Sequence, residues 1–238
     1  MQTLSVIIPA YNEENYIGAC LKSIVANRTP AVTEIIVIDN ASTDRTAEIA
    51  AQFPGVRVIR EEKKGLTRAR QCGLEHATGD ILAWADADCR VTKEWFTKIE
   101  KAFEKNPQLV SYSGPYHYYD GSTLVQWLVS STWVLFVLPT YWIVGYMVLG
   151  GNFAARRSAL LAMGGFDTTI EFYGEDANIA RRLSKVGHVK FSLFFYNWSS
   201  TRRFEKLGVL TISLIYAKNF LGEAFQKKPA THTYVDVR

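Results

Sequence analysis

Apolar positions in the first third of the chain alternate between two periods. Ser5-Val6-Ile7-Ile8-Pro9 is a short β-branched run, and Glu34-Ile35-Ile36-Val37-Ile38-Asp39 repeats its type. Val56–Ile59 and Ile81–Ala85 follow as a third and a fourth strand. Between them the spacing turns helical. Ile17, Cys20, Leu21, Ile24 and Val25 share one face, with Asn12 placed ahead of them as a cap. Ser42 or Thr43 caps a helix carrying Ala47, Ile49 and Ala50, and another helix runs from Thr67 to Ala77 and stops at Gly79. Strands apolar throughout and alternating with helices predict an α/β fold. Its mostly parallel sheet is covered on both faces. Ligands of such sheets bind at the carboxyl ends of the strands. Pro9–Tyr11, Asp39–Asn40 and Asp86–Asp88 all fall at such ends.

Beyond residue 90 the pattern changes. A helix from Thr92 to about Lys105 places Trp95, Phe96, Ile99 and Phe103 on one face. From Gly121 to Ala155 there is no charged residue, and Leu124–Leu149 is rich in Trp, Tyr, Val and Leu. Leu207–Phe225 reads as a final amphipathic helix, and Lys227–Arg238 is polar without periodicity. No repeat or linker interrupts this order. The expected organisation is one domain over 1–205 in two halves, 1–90 and 91–205. A helix and tail over 206–238 complete it.

Composition narrows the picture. With 48% hydrophobic residues in 238, the chain can bury one sizeable core. A net charge of +4 is too small for an avid nucleic-acid binder. Its positive charge comes in pairs, among them Lys63–Lys64, Arg181–Arg182 and Arg202–Arg203, which suit a polyphosphate or an anionic membrane surface. Cys20, Cys72 and Cys89 share no metal-ligand spacing and read as reduced, buried small hydrophobes. The chain opens directly on a strand-like run with no signal peptide. It carries neither a nicotinamide fingerprint nor a P-loop.

Three local motifs carry chemistry. Asp86-Ala87-Asp88, just past an apolar strand, offers two carboxylates to a hard cation that prefers oxygen ligands shared with phosphates. Gly174-Glu175-Asp176 opens a helical run and offers a carboxylate able to take a proton from a hydroxyl. In Ser200-Thr201-Arg202-Arg203, adjacent arginines flanked by hydroxyls can fork onto phosphate oxygens. Alone, each has a plainer reading: a turn, an acidic first turn favoured by the helix dipole, a basic surface turn.

Together, and in this order, they resemble the family 2 glycosyltransferases of the GT-A fold. The resemblance also rests on Ser5–Glu14, Val37–Thr46, Gly65–Gly73, Gly150–Arg157 and Gly164-Gly165-Phe166-Asp167. It implies an inverting transferase that takes a sugar from a nucleoside diphosphate, a UDP-sugar, and places it on an acceptor hydroxyl of an envelope glycan or glycolipid. By the same resemblance, Pro9, Tyr11, Glu13, Asp39, Arg70 and Asp86 hold the nucleotide, with Tyr11 stacking on the base. Asp88, with Asp86, ligates Mn2+ or Mg2+. Arg202 and Arg203 take the diphosphate, and Asp176 is the catalytic base with Glu175 beside it. Two departures stand out: Gln71 replaces the Asn of many relatives, and the Gln-x-x-Arg-Trp motif of processive synthases is absent, which points to adding a single sugar. A sugar nucleotidyltransferase would need a Gly-rich loop after the first strand, which Pro9-Ala10-Tyr11-Asn12-Glu13 is not. A non-catalytic nucleotide-sugar or membrane-binding module would have no use for Asp176. None of His76, His117, His188 and His232 is compelling as a further metal ligand; His232 is the one kept in view.

The uncharged stretch is long enough on paper to cross a bilayer, but Gln126, Ser130–Thr132, Pro139–Thr140 and Gly145 interrupt it. A single crossing would also put Asp86 and Asp88 on the opposite side from Asp176. A re-entrant hairpin turning near Pro139 escapes that objection. The other readings are a buried or oligomer-forming segment, making a homodimer, and a surface docking on membrane or gripping a lipid-linked acceptor. Trp127, Trp133, Tyr141, Trp142 and Tyr146 suit either. The expected location is cytoplasmic, peripheral on the inner face of the plasma membrane.

Overall fold

The computed structural model of the chain describes residues 2–223; His232 and the tail Lys227–Arg238 lie outside it. The alternation expected of the first third is observed: β1 (Leu4–Ala10), α1 (Ile17–Asn27), β2 (Val32–Asp39), α2 (Thr46–Ala51), β3 (Val56–Arg60), α3 (Leu66–His76) and β4 (Ile81–Ala85). Then come α4 (Trp95–Lys105), β5 (Leu109–Ser113), β6 (Tyr116–Tyr118), α5 (Thr123–Thr132), a π-helical turn at Trp133–Val137, and α6 (Leu138–Val144). The chain continues through β7 (Asn152–Arg156), α7 (Arg157–Ala162), α8 (Glu175–Leu183), β8 (His188–Phe191), β9 (Asn197–Ser199), α9 (Arg202–Leu207) and α10 (Val209–Leu221).

Seven strands form one sheet in the order β3-β2-β1-β4-β7-β5-β8, and β6 pairs with β9 beside it. All neighbours in the large sheet run parallel except β7, which is antiparallel to both β4 and β5. The period-2 alternation of each strand divides the core in two. Val6, Ile8, Ile35, Val37 and Ala83 face α1 and α4, where Leu21, Trp95 and Phe96 are buried. Ile7, Ile36, Ile38, Leu82 and Trp84 face α3, α7 and α8, where Leu74, Leu160 and Leu183 are buried. Trp84 and Phe153 stack across β4 and β7 with ring centroids 4.6 Å apart.

Three details differ from the sequence reading. Asn12 does not cap α1, which begins at Ile17; it holds a left-handed turn at φ +51°. The helix expected over 207–225 is broken by Gly208 at φ +83°, a conformation open to glycine, into α9 and α10. The chain also does not turn at Pro139, which sits in the first turn of α6, where a missing N–H costs nothing. Among the described residues no helix is long and apolar enough to cross a membrane.

Asn152, fully buried at the head of β7, fastens the middle of the sheet. Its Oδ1 accepts the Trp95 indole N–H at 2.8 Å, and its Nδ2 faces the carbonyls of Gly114, Pro115 and Phe195 at 2.9–3.0 Å. Asn152→Ala would leave several of these groups buried without a partner, at about 1–3 kcal/mol each. A loss of about 3 kcal/mol or more is expected in urea unfolding, against little change for Lys101→Ala on the exposed side of α4.

Candidate functional site

The loops after β1 and β2 are locked together before any ligand is considered. The Asn12 N–H donates to Ser42 Oγ at 3.0 Å, and Asn12 Oδ1 accepts the Thr43 N–H at 2.8 Å. The residues expected to cap α1 and α2 thus bind each other, and Asp44 Oδ1 takes the Thr46 N–H at the start of α2 instead. Beside this junction lies a cleft of about 200 Å³ lined by Pro9, Tyr11, Asn40, Lys64, Leu66 and Phe172. Lys64 Nζ stands 3.8 Å above the centre of the Tyr11 ring. Asp39, at the end of β2, is buried; its Oδ2 accepts from Arg60 Nη1, and its Oδ1 accepts the Ser42 N–H at 3.2 Å. Arg60 reaches it because the two are register partners at the ends of adjacent parallel strands.

The second part of the site gathers charge from distant segments. Arg70, on α3, is only 1% exposed. Its Nη1 binds Glu175 and lies 3.4 Å from Asp176, while its Nη2 lies 3.8 Å from Asp86. Side chains absent at Gly150 and Gly151 make room: a Cβ at Gly150 would overlap the Arg70 guanidinium, and one at Gly151 the Asp86 carboxylate. Gln71, on the same helix, accepts the Phe166 N–H at 2.9 Å and fixes the Gly164–Gly165 turn against α3.

Arg202 completes a third link. Its Nη2 is 2.6 Å from Glu13 Oε1 and 2.9 Å from Asp88 Oδ2. Glu13 therefore points at this arginine, and Arg203 lies over the Phe172 ring at 4.6 Å. The turn carrying both arginines is held by Asp120, which accepts from Ser200 Oγ and the Thr201 N–H, each at 2.6 Å. Asp86, Asp88, Arg70, Glu175, Asp176 and Arg202 thus meet in one place. Tyr11 and Asp39 line or flank the adjacent cleft.

Electrostatically the site is rich in acid. Burial pushes the Asp86 carboxyl up to about 6, aided by Asp88 and Asp176 and opposed by Arg70. Burial also drives Glu175 well above the usual carboxylate range, with Arg70 pulling the other way. Among the described residues no group of three His, Cys, Asp or Glu converges as a complete metal cage. Asp86 and Asp88 are instead a pair of hard oxygen donors just past the end of β4. That set suits a divalent cation whose remaining ligands are phosphate oxygens and water. His76, His117 and His188 stand apart from it: His117 packs on Tyr196, and His188 faces Asn106. The three cysteines are free and buried, and burial raises their thiols, as expected of inert side chains.

Sequence reading missed Arg60, Lys64 and Asp120 as members of the site. Arg60 stands one residue beyond the apolar run Val56–Ile59, so the position was visible and its partner was not. Asp120 carried no signal, because its role depends on β6 and β9 lying side by side.

Residues 5–163 match the family model described as glycosyl transferase family 2. The chain is similar to glycosyltransferase AglE of Haloferax volcanii, with 39% identity over 101 residues, 40% of this chain and 33% of that protein. It therefore spans about a third of that relative's length. Its fold is similar to that of the mannosyltransferase PcManGT from Pyrobaculum calidifontis in complex with GDP-Man and Mn2+. The TM-score is 0.69 at 21% identity, covering 95% of this chain and 64% of the other. Glucosyl-3-phosphoglycerate synthase from Mycobacterium tuberculosis, in complex with Mn2+, UDP-glucose and phosphoglyceric acid, gives 0.67 at 22% identity, covering 94% and 80%. At such identities the likeness establishes a shared GT-A fold.

Removing Arg70 would leave the buried Glu175 carboxylate without its cation, facing the half-exposed Asp86 and Asp176. Arg70→Met is expected to destabilise the protein by about 3–5 kcal/mol in denaturant unfolding. Replacing the exposed Arg28 should cost under about 0.5 kcal/mol.

Proposed function

The chain belongs to glycosyl transferase family 2, and from that premise we propose that it moves a sugar from a nucleoside diphosphate, UDP in preference to GDP, onto an acceptor hydroxyl. The observation that carries this reading is the convergence of Asp86, Asp88, Arg70, Asp176 and Arg202 at the carboxyl edge of the sheet, next to a cleft sized for a nucleotide base. In this reading, residues up to about 90 bind the donor, and those from 91 to 205 shape the acceptor side.

Tyr11 offers its ring to the base, with Lys64 sliding off or sandwiching it. Asp39, oriented by Arg60, accepts a hydrogen bond from a base N–H, which favours uracil. Asp88 and Asp86 would hold Mn2+ or Mg2+, which neutralises charge developing on the departing diphosphate. Arg202 and Arg203 add donors for the phosphate oxygens. Asp176 takes the proton from the attacking hydroxyl. With Asp176 as the base and Asp86 given to the metal, the displacement in this reading is direct and inverts the anomeric carbon. Glu175, pinned on Arg70, positions the α8 terminus that carries Asp176. One sugar is added per encounter, toward an envelope glycan or glycolipid.

Calorimetric titration of UDP and GDP, first with Mn2+ and then with EDTA, tests the donor assignment. Metal-dependent binding that prefers UDP is expected; absence of binding by either nucleotide to the folded chain would sink it. Asp88→Ala should weaken UDP binding in Mn2+ and change little in EDTA, whereas equal losses would make Asp88 structural. Asp176→Asn should lower transfer by about 10²–10⁴-fold while leaving UDP affinity nearly intact.

A further inference from the structure

The helices after β6 and at the end of the described chain are amphipathic the wrong way round for water. On α10, the inward face carries Ile212 and Asn219, both buried. The outward face carries Leu210, Leu214 and Leu221, exposed by 73%, 61% and 50%. Their spacing of i, i+4 and i+11 puts all three within an arc of about 40°. On α5, Leu124, Trp127 and Leu128 are likewise exposed at i, i+3 and i+4. Trp142 and Ile143 on α6 are likewise exposed, by 74% and 83%. α5 packs against α10 and leads through the π-helical turn into α6, so the exposed stripes sit on neighbouring helices. A helix facing water normally turns its polar side outward.

We propose that this surface docks on a lipid bilayer whose headgroups are anionic, lying in the interface without crossing it. Charge selects this occupant. No charged residue occurs between Gly121 and Ala155, and the only charge on α10 is Lys218 in its last turn. Lys206, on α9 near the start of α10, is exposed, as is its neighbour Glu205. An apolar face with tryptophans and a lysine fringe matches acyl chains, interfacial carbonyls and anionic headgroups in turn. The surface is also tied to the site. Glu223, just past α10, is buried against Arg181 on α8 at 3.1 Å, and Tyr216 packs on Tyr173 just before Glu175 and Asp176. Docking would therefore hold the cleft close to the bilayer, where it meets an acceptor borne by a lipid. That last consequence rests on the transferase reading above; the docking itself does not.

Flotation of the full chain with phosphatidylcholine vesicles, with and without phosphatidylglycerol, tests the proposal. Binding is expected to the anionic vesicles and to weaken with salt. Leu210→Glu with Leu214→Glu should lower partitioning by at least about tenfold, and Lys218→Gln by about fivefold. Brominated lipid should quench tryptophan emission, and Trp127→Phe with Trp142→Phe should remove most of that quenching. Circular dichroism and UDP titration show that each variant remains folded. No flotation with either vesicle, unchanged flotation of the double glutamate variant, or a dimer in light scattering that this variant dissociates would overturn it. A chain that floats but binds no nucleotide would refute the transferase reading and leave the docking surface standing.

Discussion

Arg70 is the charge around which the site is organised. Three carboxylates, Asp86, Glu175 and Asp176, come from segments nearly a hundred residues apart and converge within reach of its guanidinium. Bringing acids together around a buried position raises their energy unless a cation sits among them. A lysine would supply one point of charge, whereas the planar fork of arginine faces the α8 pair with one nitrogen and Asp86 with the other. That fork needs the space left by Gly150, so a glycine on the β7 approach and an arginine on α3 are a single steric and electrostatic unit.

Around this centre the scaffold works by locking loops to one another. The β1 and β2 loops are joined by Asn12, Ser42 and Thr43, the β7 entry by Asn152, and the arginine turn by Asp120. Each lock uses a short polar side chain to satisfy backbone groups that would otherwise be buried and unpaired. The consequence is a rigid rim. Arg202 can then bridge Glu13 and Asp88, residues from the first and fourth strand loops, with its guanidinium over the Tyr16 ring.

The outward apolar helices fit the same economy of position. They are attached to α8 through Glu223 and Arg181, so whatever covers them is mechanically near Asp176. An enzyme working on a substrate held at an interface gains by limiting its search to two dimensions and by presenting its cleft in one orientation.

Much was legible from the chain alone. Uninterrupted β-branched runs separated by helical spacing determined a parallel sheet, because strands buried on both faces admit no polar alternation. The acidic and basic motifs at strand ends, read in order, determined the family. The sequence could not show that β7 enters antiparallel between β4 and β5, since that depends on which edge is free after β4 and β5 have formed. Nor could it show that Asp39 is partnered by Arg60, or Ser200 and Thr201 by Asp120. Those contacts arise from register between strands, and a one-residue slip would erase them. The uncharged stretch shows the divide most clearly. Its composition allowed a buried segment, a subunit contact or a membrane surface; only the fold, by burying Val129, Met147 and Val148 and turning Leu124, Trp127 and Trp142 outward, decided which side chains remain to meet a partner.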